Sequence, residues 1–397
     1  TQDEGYAVGG HFRSTTIDLG NGVVLKNNGS KSYNDGMIIK YNYIEKPEVN
    51  VKQGKAIGGN NNDQIICIAE TKDGGYVVGG YFYSESIDLG NGIVLNNSGG
   101  QDGMLIKYNK YDEVEWTKSI GGEGNDYISQ IIQTGDTGYV VVGYFDSKSI
   151  KLENGEELNN ISSDSETDGM IIKYNKEGDI EWSKTIGGSS YEYIKDIEEV
   201  ETEGYLVTGY FYGNKVYLGN GEELSGHGAY DGMIIKYNNK GNIEWKKAIG
   251  GSKNDYITCI TKTSDGGYAI GGYFYSESID LGNGEVLVNK GYEDGMMIKY
   301  DEEGNVEWGK AVGGEKNDYI NCITETSEGG YIVGGYFESS RIDLGNGVVL
   351  NNNNSPYQDG MIIKYGANGE VKWGKAVGGN SYDRITCMIE TKEGGYL

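Results

Sequence analysis

An all-β fold, a six-bladed β-propeller with four antiparallel strands per blade, is what this sequence predicts. Three observations lead there. The triplet Asp-Gly-Met recurs at Asp35, Asp102, Asp168, Asp231, Asp294 and Asp359, at intervals of 63 to 67 residues, a period that signals a repeat architecture. Glycine is abundant (67) and proline nearly absent (2), which suits many short strands joined by tight turns. Each repeat holds four short apolar segments, and no long amphipathic helix is visible.

One repeat justifies the elements in order. Residues 127–132 are rich in isoleucine and bounded by polar residues, so they read as a first strand. Residues 138–145, Gly-Tyr-Val-Val-Val-Gly-Tyr-Phe, form a second strand whose unbroken apolar character implies burial on both faces. A polar excursion follows; its counterpart 86–95 reads as a small hairpin turning at Gly90-Asn91-Gly92. Residues 169–175 make the third strand, 176–179 a turn whose glycine supplies positive φ, and 180–186 the fourth.

Six copies of this unit make one domain over 1–397. The expected blades are 1–59 with 384–397, then 60–122, 123–188, 189–251, 252–314 and 315–383. The chain starts at a second strand, 5–12, and residues 385–390 read as a first strand, so the C-terminal strand is expected to join the N-terminal blade and close the ring. Residues 391–397 repeat the pattern of 1–7, as in a piece cut from a longer array.

The string Asp-Gly-Met-Ile-Ile-Lys-Tyr-Asn-x-x-Gly-x-Ile-Glu-Trp, with Gly-Gly behind it and Gly-Gly-Tyr-Val-Val-Gly-Gly-Tyr-Phe ahead, resembles the bacterial β-propeller repeat known as SBBP. The resemblance runs through the whole chain. It implies a large secreted or surface protein in which the propeller is a scaffold or binding module. Two departures stand out: the family's name refers to seven blades and this chain shows six, and Gln53 stands where Trp116, Trp182, Trp245, Trp308 and Trp373 recur, after a longer turn containing Pro47.

Charge narrows the partners. A net charge of -26 repels phosphate backbones and anionic lipid, both recognised through clustered Lys and Arg, so neither nucleic acid nor membrane insertion is expected. Cys67, Cys259, Cys322 and Cys387 each lie four residues after an Asp of the repeat. They share one structural position and read as buried thiols too far apart to pair.

Two sets of residues are candidates for a site. Asp63, Asp126, Asp255, Asp318 and Asp383 recur in the connections between blades, with Asp88, Asp280 and Asp343 in the hairpins; hard oxygen donors of this kind suit calcium. The competing reading is that each Asp accepts backbone N–H bonds and fixes a turn, since neither a helical calcium loop nor a Gly-Gly-x-Gly-x-Asp run is present. The second set is asymmetric. In the third and fourth blades Gln130 and Asp196 replace the cysteine, Lys151 and Tyr217 the hairpin Asp, and Glu192 the inter-blade Asp. Glu156, Glu157, Glu222, Glu223 and His227 lie in the same sector. Asp196, Tyr217, these four glutamates and His227 are the expected ligand-binding residues. The expected function is a non-enzymatic extracellular or cell-surface binding scaffold for carbohydrate or a surface protein, with no cofactor unless calcium. A structural spacer within a tandem array and a glycosidase or lyase using the acidic loops are the alternatives.

Overall fold

The computed structural model describes residues 6–19, 22–29, 33–43, 49–162, 166–200, 204–219, 221–352, 357–390 and 395. The expected redundancy of 1–7 with 391–397 and the turn around Pro47 lie largely outside them. The chain divides into two compact units, Thr1–Ile194 and Lys195–Leu397, with the boundary inside the strand Glu192–Val200.

Among the described residues every regular element is a β-strand. The four-strand reading holds for every repeat but the first. In the first unit Asp63–Glu70, Tyr76–Phe82, Asp102–Tyr108 and Val114–Ile120 form one antiparallel sheet in that order. Asp126–Gln133, Tyr139–Phe145, Asp168–Tyr174 and Ile180–Gly188 follow in the same order. In the second unit the pattern returns as Asp255–Lys262, Tyr268–Phe274, Asp294–Tyr300 and Val306–Val312, and again as Asp318–Thr326, Gly330–Phe337, Asp359–Gly366 and Val371–Val377. The N-terminal sheet has three strands, Tyr6–Phe12, Asp35–Tyr43 and Val49–Ile57.

The hydrophobic pattern explains the layering. The third strand Asp102–Tyr108 is buried along its whole length, and the second is nearly so. Both are central and covered on two faces. Sheets pack face to face within a unit: Val77 and Leu105 of one meet Val141, Met170 and Ile172 of the next in a single core. The recurring Trp belongs to this packing. Trp116 lies 5.3 Å from the Tyr139 ring and 6.5 Å from that of Tyr174 in the following sheet. The turn glycine Gly178, at φ 85°, leaves room for it, since a Cβ there would sit 3.1 Å from the indole. Trp245 against Gly304 and Trp308 against Gly369 repeat the arrangement. Gln53 pairs in register with Lys40 as Trp116 does with Lys107, and so occupies the Trp position of its own sheet.

Residues 385–390 are not a regular strand. They run beside Asp318–Thr326: Asn321 Nδ2 donates to Ile385 O (2.8 Å) and Thr324 Oγ1 to Met388 O (2.9 Å). One repeat earlier, Thr258 Oγ1 donates to Ile320 O (3.0 Å) in the same manner. The segment therefore sits where a following first strand would. No disulfide joins the cysteines; Cys67 and Cys259 are buried as expected, whereas Cys322 is half-buried and Cys387 exposed.

Candidate ligand-binding site

The connection from the fourth strand of one repeat to the first strand of the next carries Gly-Gly and, four residues after the second Gly, an acidic residue. Both glycines are explained by carboxylates. The second donates its N–H to the coming acid: Gly59 to Asp63 Oδ2 (2.8 Å), Gly122 to Asp126 Oδ2 (2.8 Å), Gly251 to Asp255 Oδ2 (2.7 Å), Gly314 to Asp318 Oδ2 (2.8 Å). A serine after the second strand completes the set. Ser84 donates its hydroxyl to Asp63 Oδ2 (2.6 Å) and its N–H to Oδ1 (3.1 Å), with Tyr83 N–H adding a further bond to Oδ1 (3.1 Å). The first glycine makes way for the Asp of Asp-Gly-Met. A Cβ on Gly121 would lie 2.2 Å from Asp102 Oδ1, and one on Gly250 would lie 1.9 Å from Asp231 Oδ1 and 3.0 Å from Asp255 Oδ2.

Two carboxylates therefore meet at each such connection. The inter-blade acid is ringed by donors. Its Asp-Gly-Met neighbour is held through one oxygen only: Ser98 N–H and Ser119 Oγ bond Asp102 Oδ2 (2.9 and 3.1 Å), and Lys290 N–H bonds Asp294 Oδ2 (2.9 Å). The other oxygens, Oδ1 of Asp35, Asp102, Asp168, Asp231, Asp294 and Asp359, are buried with no hydrogen-bond donor. A buried carboxylate lacking donors and facing a second carboxylate favours its neutral form. Burial accordingly pushes Asp126, Asp294 and Asp318 up to about 6, against the donors that act the other way.

Immediately after four of the inter-blade acids, Asp126, Glu192, Asp255 and Asp318, stands a tyrosine, and every second strand but the first carries another before its final Phe. They pair across the sheet, Tyr127 with Tyr144 and Tyr256 with Tyr273, and the pairs join into ladders. In the first unit the rings run Tyr81, Tyr127, Tyr144, Tyr193 at centroid spacings of 5.0, 4.8 and 4.9 Å. In the second they run Tyr210, Tyr256, Tyr273, Tyr319, Tyr336 at 4.8, 4.8, 4.6 and 4.6 Å. The Arg384 guanidinium lies 4.3 Å over Tyr336. Every ring of both ladders is half-buried, presenting apolar faces and hydroxyl edges beside the acidic connections. The sequence carries this signal as the recurring Asp-Tyr and Tyr-Phe dipeptides.

The expected site residues fall as follows. Asp63, Asp126, Asp255 and Asp318 are the donor-ringed acids, and Asp383 accepts from Gly379 N–H (2.7 Å). Asp88, Asp280 and Asp343 accept from Gly90, Gly282 and Gly345 N–H and fix hairpin turns. Among the described residues no group of three or more His, Cys, Asp and Glu is placed to hold a metal ion. Glu156 accepts from Ser183 Oγ (2.9 Å) and Glu157 from Ser149 Oγ (2.7 Å), so the adjacent carboxylates take different partners. Glu222 pairs with Lys246 and Glu223 with Lys215 in the same divergent way. Asp196 accepts from Ile197 N–H (2.9 Å) and from Ile260 N–H of the next first strand (3.0 Å), a bridge between sheets. Tyr217 is exposed beside Lys215. His227, also exposed, lines a cleft of about 300 Å³ with Lys247, Asp280, Leu281 and Tyr300.

No family model and no curated protein matches the chain. Among solved structures it is similar to a Bacteroides caccae protein of unknown function, with a TM-score of 0.43, 9% identity, and coverage of 86% of this chain and 89% of that one. It is also similar to the WD40 domain of Neurospora crassa Pan2, with a TM-score of 0.33, 10% identity and 84% coverage of each. For the extracellular domain of a hybrid two-component system from B. thetaiotaomicron the TM-score is 0.30 and the identity 13%, over 96% of this chain and 45% of that one. No helix among the described residues is long and apolar enough to cross a membrane.

Proposed function

We propose that this chain is a non-enzymatic, extracellular binding scaffold of the SBBP type. Its six repeats close as a six-bladed propeller, with residues 385–390 taking the place of a first strand for the N-terminal blade without forming a regular one, and its ligand is carbohydrate. The observation that carries the ligand class is the pair of tyrosine ladders. A pyranose presents a face of C–H groups that stacks on an aromatic ring and a rim of hydroxyls that bonds carboxylates and phenols. Half-buried Tyr127, Tyr144, Tyr256 and Tyr273 supply the first, and exposed acids of the adjoining loops the second. Repetition suits multivalent capture, in which weak sites add by avidity. The divergent pairing of Glu156 with Ser183 and Glu157 with Ser149 favours a binding role over an acid and base acting together on one bond.

The test is a glycan array probed with the purified chain, with calcium and with chelator. A signal abolished by Tyr127→Ser and Tyr256→Ser, in variants whose circular dichroism shows folded sheet, and kept by Glu156→Gln and Glu222→Gln, supports stacking on the ladders. A signal lost only in the Glu variants moves the site to the hairpins. Silence with and without calcium removes carbohydrate as the ligand class and leaves a spacer or protein-display role.

A further inference from the structure

We infer that Asp168 and Glu192 share one proton at neutral pH, forming a buried acid pair that latches the connection over residues 187–192 and releases it when the proton leaves. Every other repeat places Asp where this one places Glu192. The extra methylene extends the Glu192 carboxyl toward Asp168 at a Gly-Gly connection that serves both acids: a Cβ on Gly187 would lie 2.1 Å from Asp168 Oδ2, and Gly188 N–H donates to Glu192 Oε2 (2.9 Å). Both residues are 0% exposed.

Their outer oxygens are already held. Ile161 N–H donates to Asp168 Oδ2 (2.6 Å) and Gly188 N–H to Glu192 Oε2 (2.9 Å). Asp168 Oδ1 and Glu192 Oε1 are buried with no hydrogen-bond partner. Two carboxylate oxygens repel, and they become partners only when one carries hydrogen. The repeat also lacks the usual hydroxyl in its sequence, with Gly213 standing where Ser84, Ser147, Ser276 and Ser339 stand in others. A proton on Glu192 is the replacement donor.

The charged groups acting on the pair deepen the need for that proton. Besides the two carboxyls themselves, Glu166, just before the third strand, acts on both and raises both. Burial and these like charges push Asp168 to about 7 and Glu192 to about 9. Because the folded pKa of each acid is raised, folding takes up the proton. The resulting stability is complete below the unfolded carboxyl range, about 4.3 for Glu, and is lost as pH rises through about 9. Glu192 lies between Tyr191 and Tyr193, whose rings stack at 6.4 Å, so the latch sits beneath an exposed aromatic platform. This inference stands whether or not that platform binds sugar.

Infrared difference spectroscopy of the intact chain tests it directly. A protonated carboxylic acid should persist at about pH 7.5, above the range of the Asp pairs, and disappear on raising the pH to about 10. In Glu192→Gln that signal should shrink to the part owed to Glu198, whose carboxyl burial pushes up to about 8 and which Glu198→Gln removes separately, while the amide N–H donates to Asp168 and the melting temperature falls less between those two pH values than in the unaltered chain. Glu192→Asp, one methylene shorter, should shift the loss of the signal to lower pH. The absence of an acid signal at about pH 7.5 in the unaltered chain overturns the shared proton without reference to any variant. A signal undiminished in Glu192→Gln overturns its assignment to this pair.

Discussion

Replacing Gly250 by alanine isolates the central claim about the Gly-Gly connection, because Gly250 has no positive φ and is required only for space. The new methyl carbon would lie 1.9 Å from Asp231 Oδ1 and 3.0 Å from Asp255 Oδ2, far inside van der Waals contact. The carboxylate of Asp231 must swing away, straining the bonds that His227 and Gly228 N–H make to its Oδ2 (2.5 and 3.1 Å). Overpacking costs about 1–3 kcal/mol, and loss of a hydrogen bond to a charged group about 1.5–3 kcal/mol. Loss of glycine's unfolded-state freedom returns about 0.4–1 kcal/mol. The net expectation is a destabilisation of about 2–4 kcal/mol, read as the shift of the urea midpoint followed by circular dichroism. Gly282→Ala is the control: φ is 83° and nothing lies within 4 Å of its Cβ, so it carries only backbone strain, about 1–2 kcal/mol. Combining Gly250→Ala with Asp231→Ala removes the obstacle and should recover at least about 0.5 kcal/mol relative to additivity. If Gly250→Ala costs no more than Gly282→Ala, or if the double variant is simply additive, the carboxylate is not what the glycine accommodates.

Stability should peak in mild acid. Asp126, Asp294 and Asp318 are raised to about 6, so their contribution is present below the unfolded Asp range and is lost as pH rises through about 6. Asp73, lowered to about 2 by Thr71, Gly75 and Lys107 despite its partial burial, contributes above the unfolded range and is lost as pH falls through about 2. A melting temperature that climbs steadily from about pH 5 to pH 8 contradicts this sign. Trp308, 9% exposed between sheets, should cost about 3–5 kcal/mol when changed to alanine. Trp373, 39% exposed, should cost clearly less, and equal losses in thermal melts would refute the packing role.

Strand positions were legible because each rests on local chemistry: the third strand was expected at 169–175 and runs Asp168–Tyr174. The carboxylate pairs were not. Asp102 and Asp126 are partners across a turn of chain, and no motif joins them; only the coincidence of Gly121, Gly122 and Asp126 in every repeat hints that one acid needs room and the other a donor. Asp126 was weighed as an oxygen ligand or a turn-fixing acceptor, and the structure shows the N–H and O–H bonds of the second reading. Nor does residue type alone give direction. Glu156 and Glu157 look like a pair in the sequence, yet Glu156 closes the hairpin turn and meets Ser183, whereas Glu157 opens the strand Glu157–Asn159 and meets Ser149.

The indole-on-glycine contact has a consequence for how such a gene can change. Trp116 fits over Gly178, Trp245 over Gly304 and Trp308 over Gly369, so these three joints use the same plug and the same socket. Recombination that exchanges one of these periods for another can therefore keep the joint matched, whereas the period with Asp112 at the Gly178 position brings no such socket. Gln53 brings no indole to its joint, so a copy added or lost there would not be interchangeable with those three.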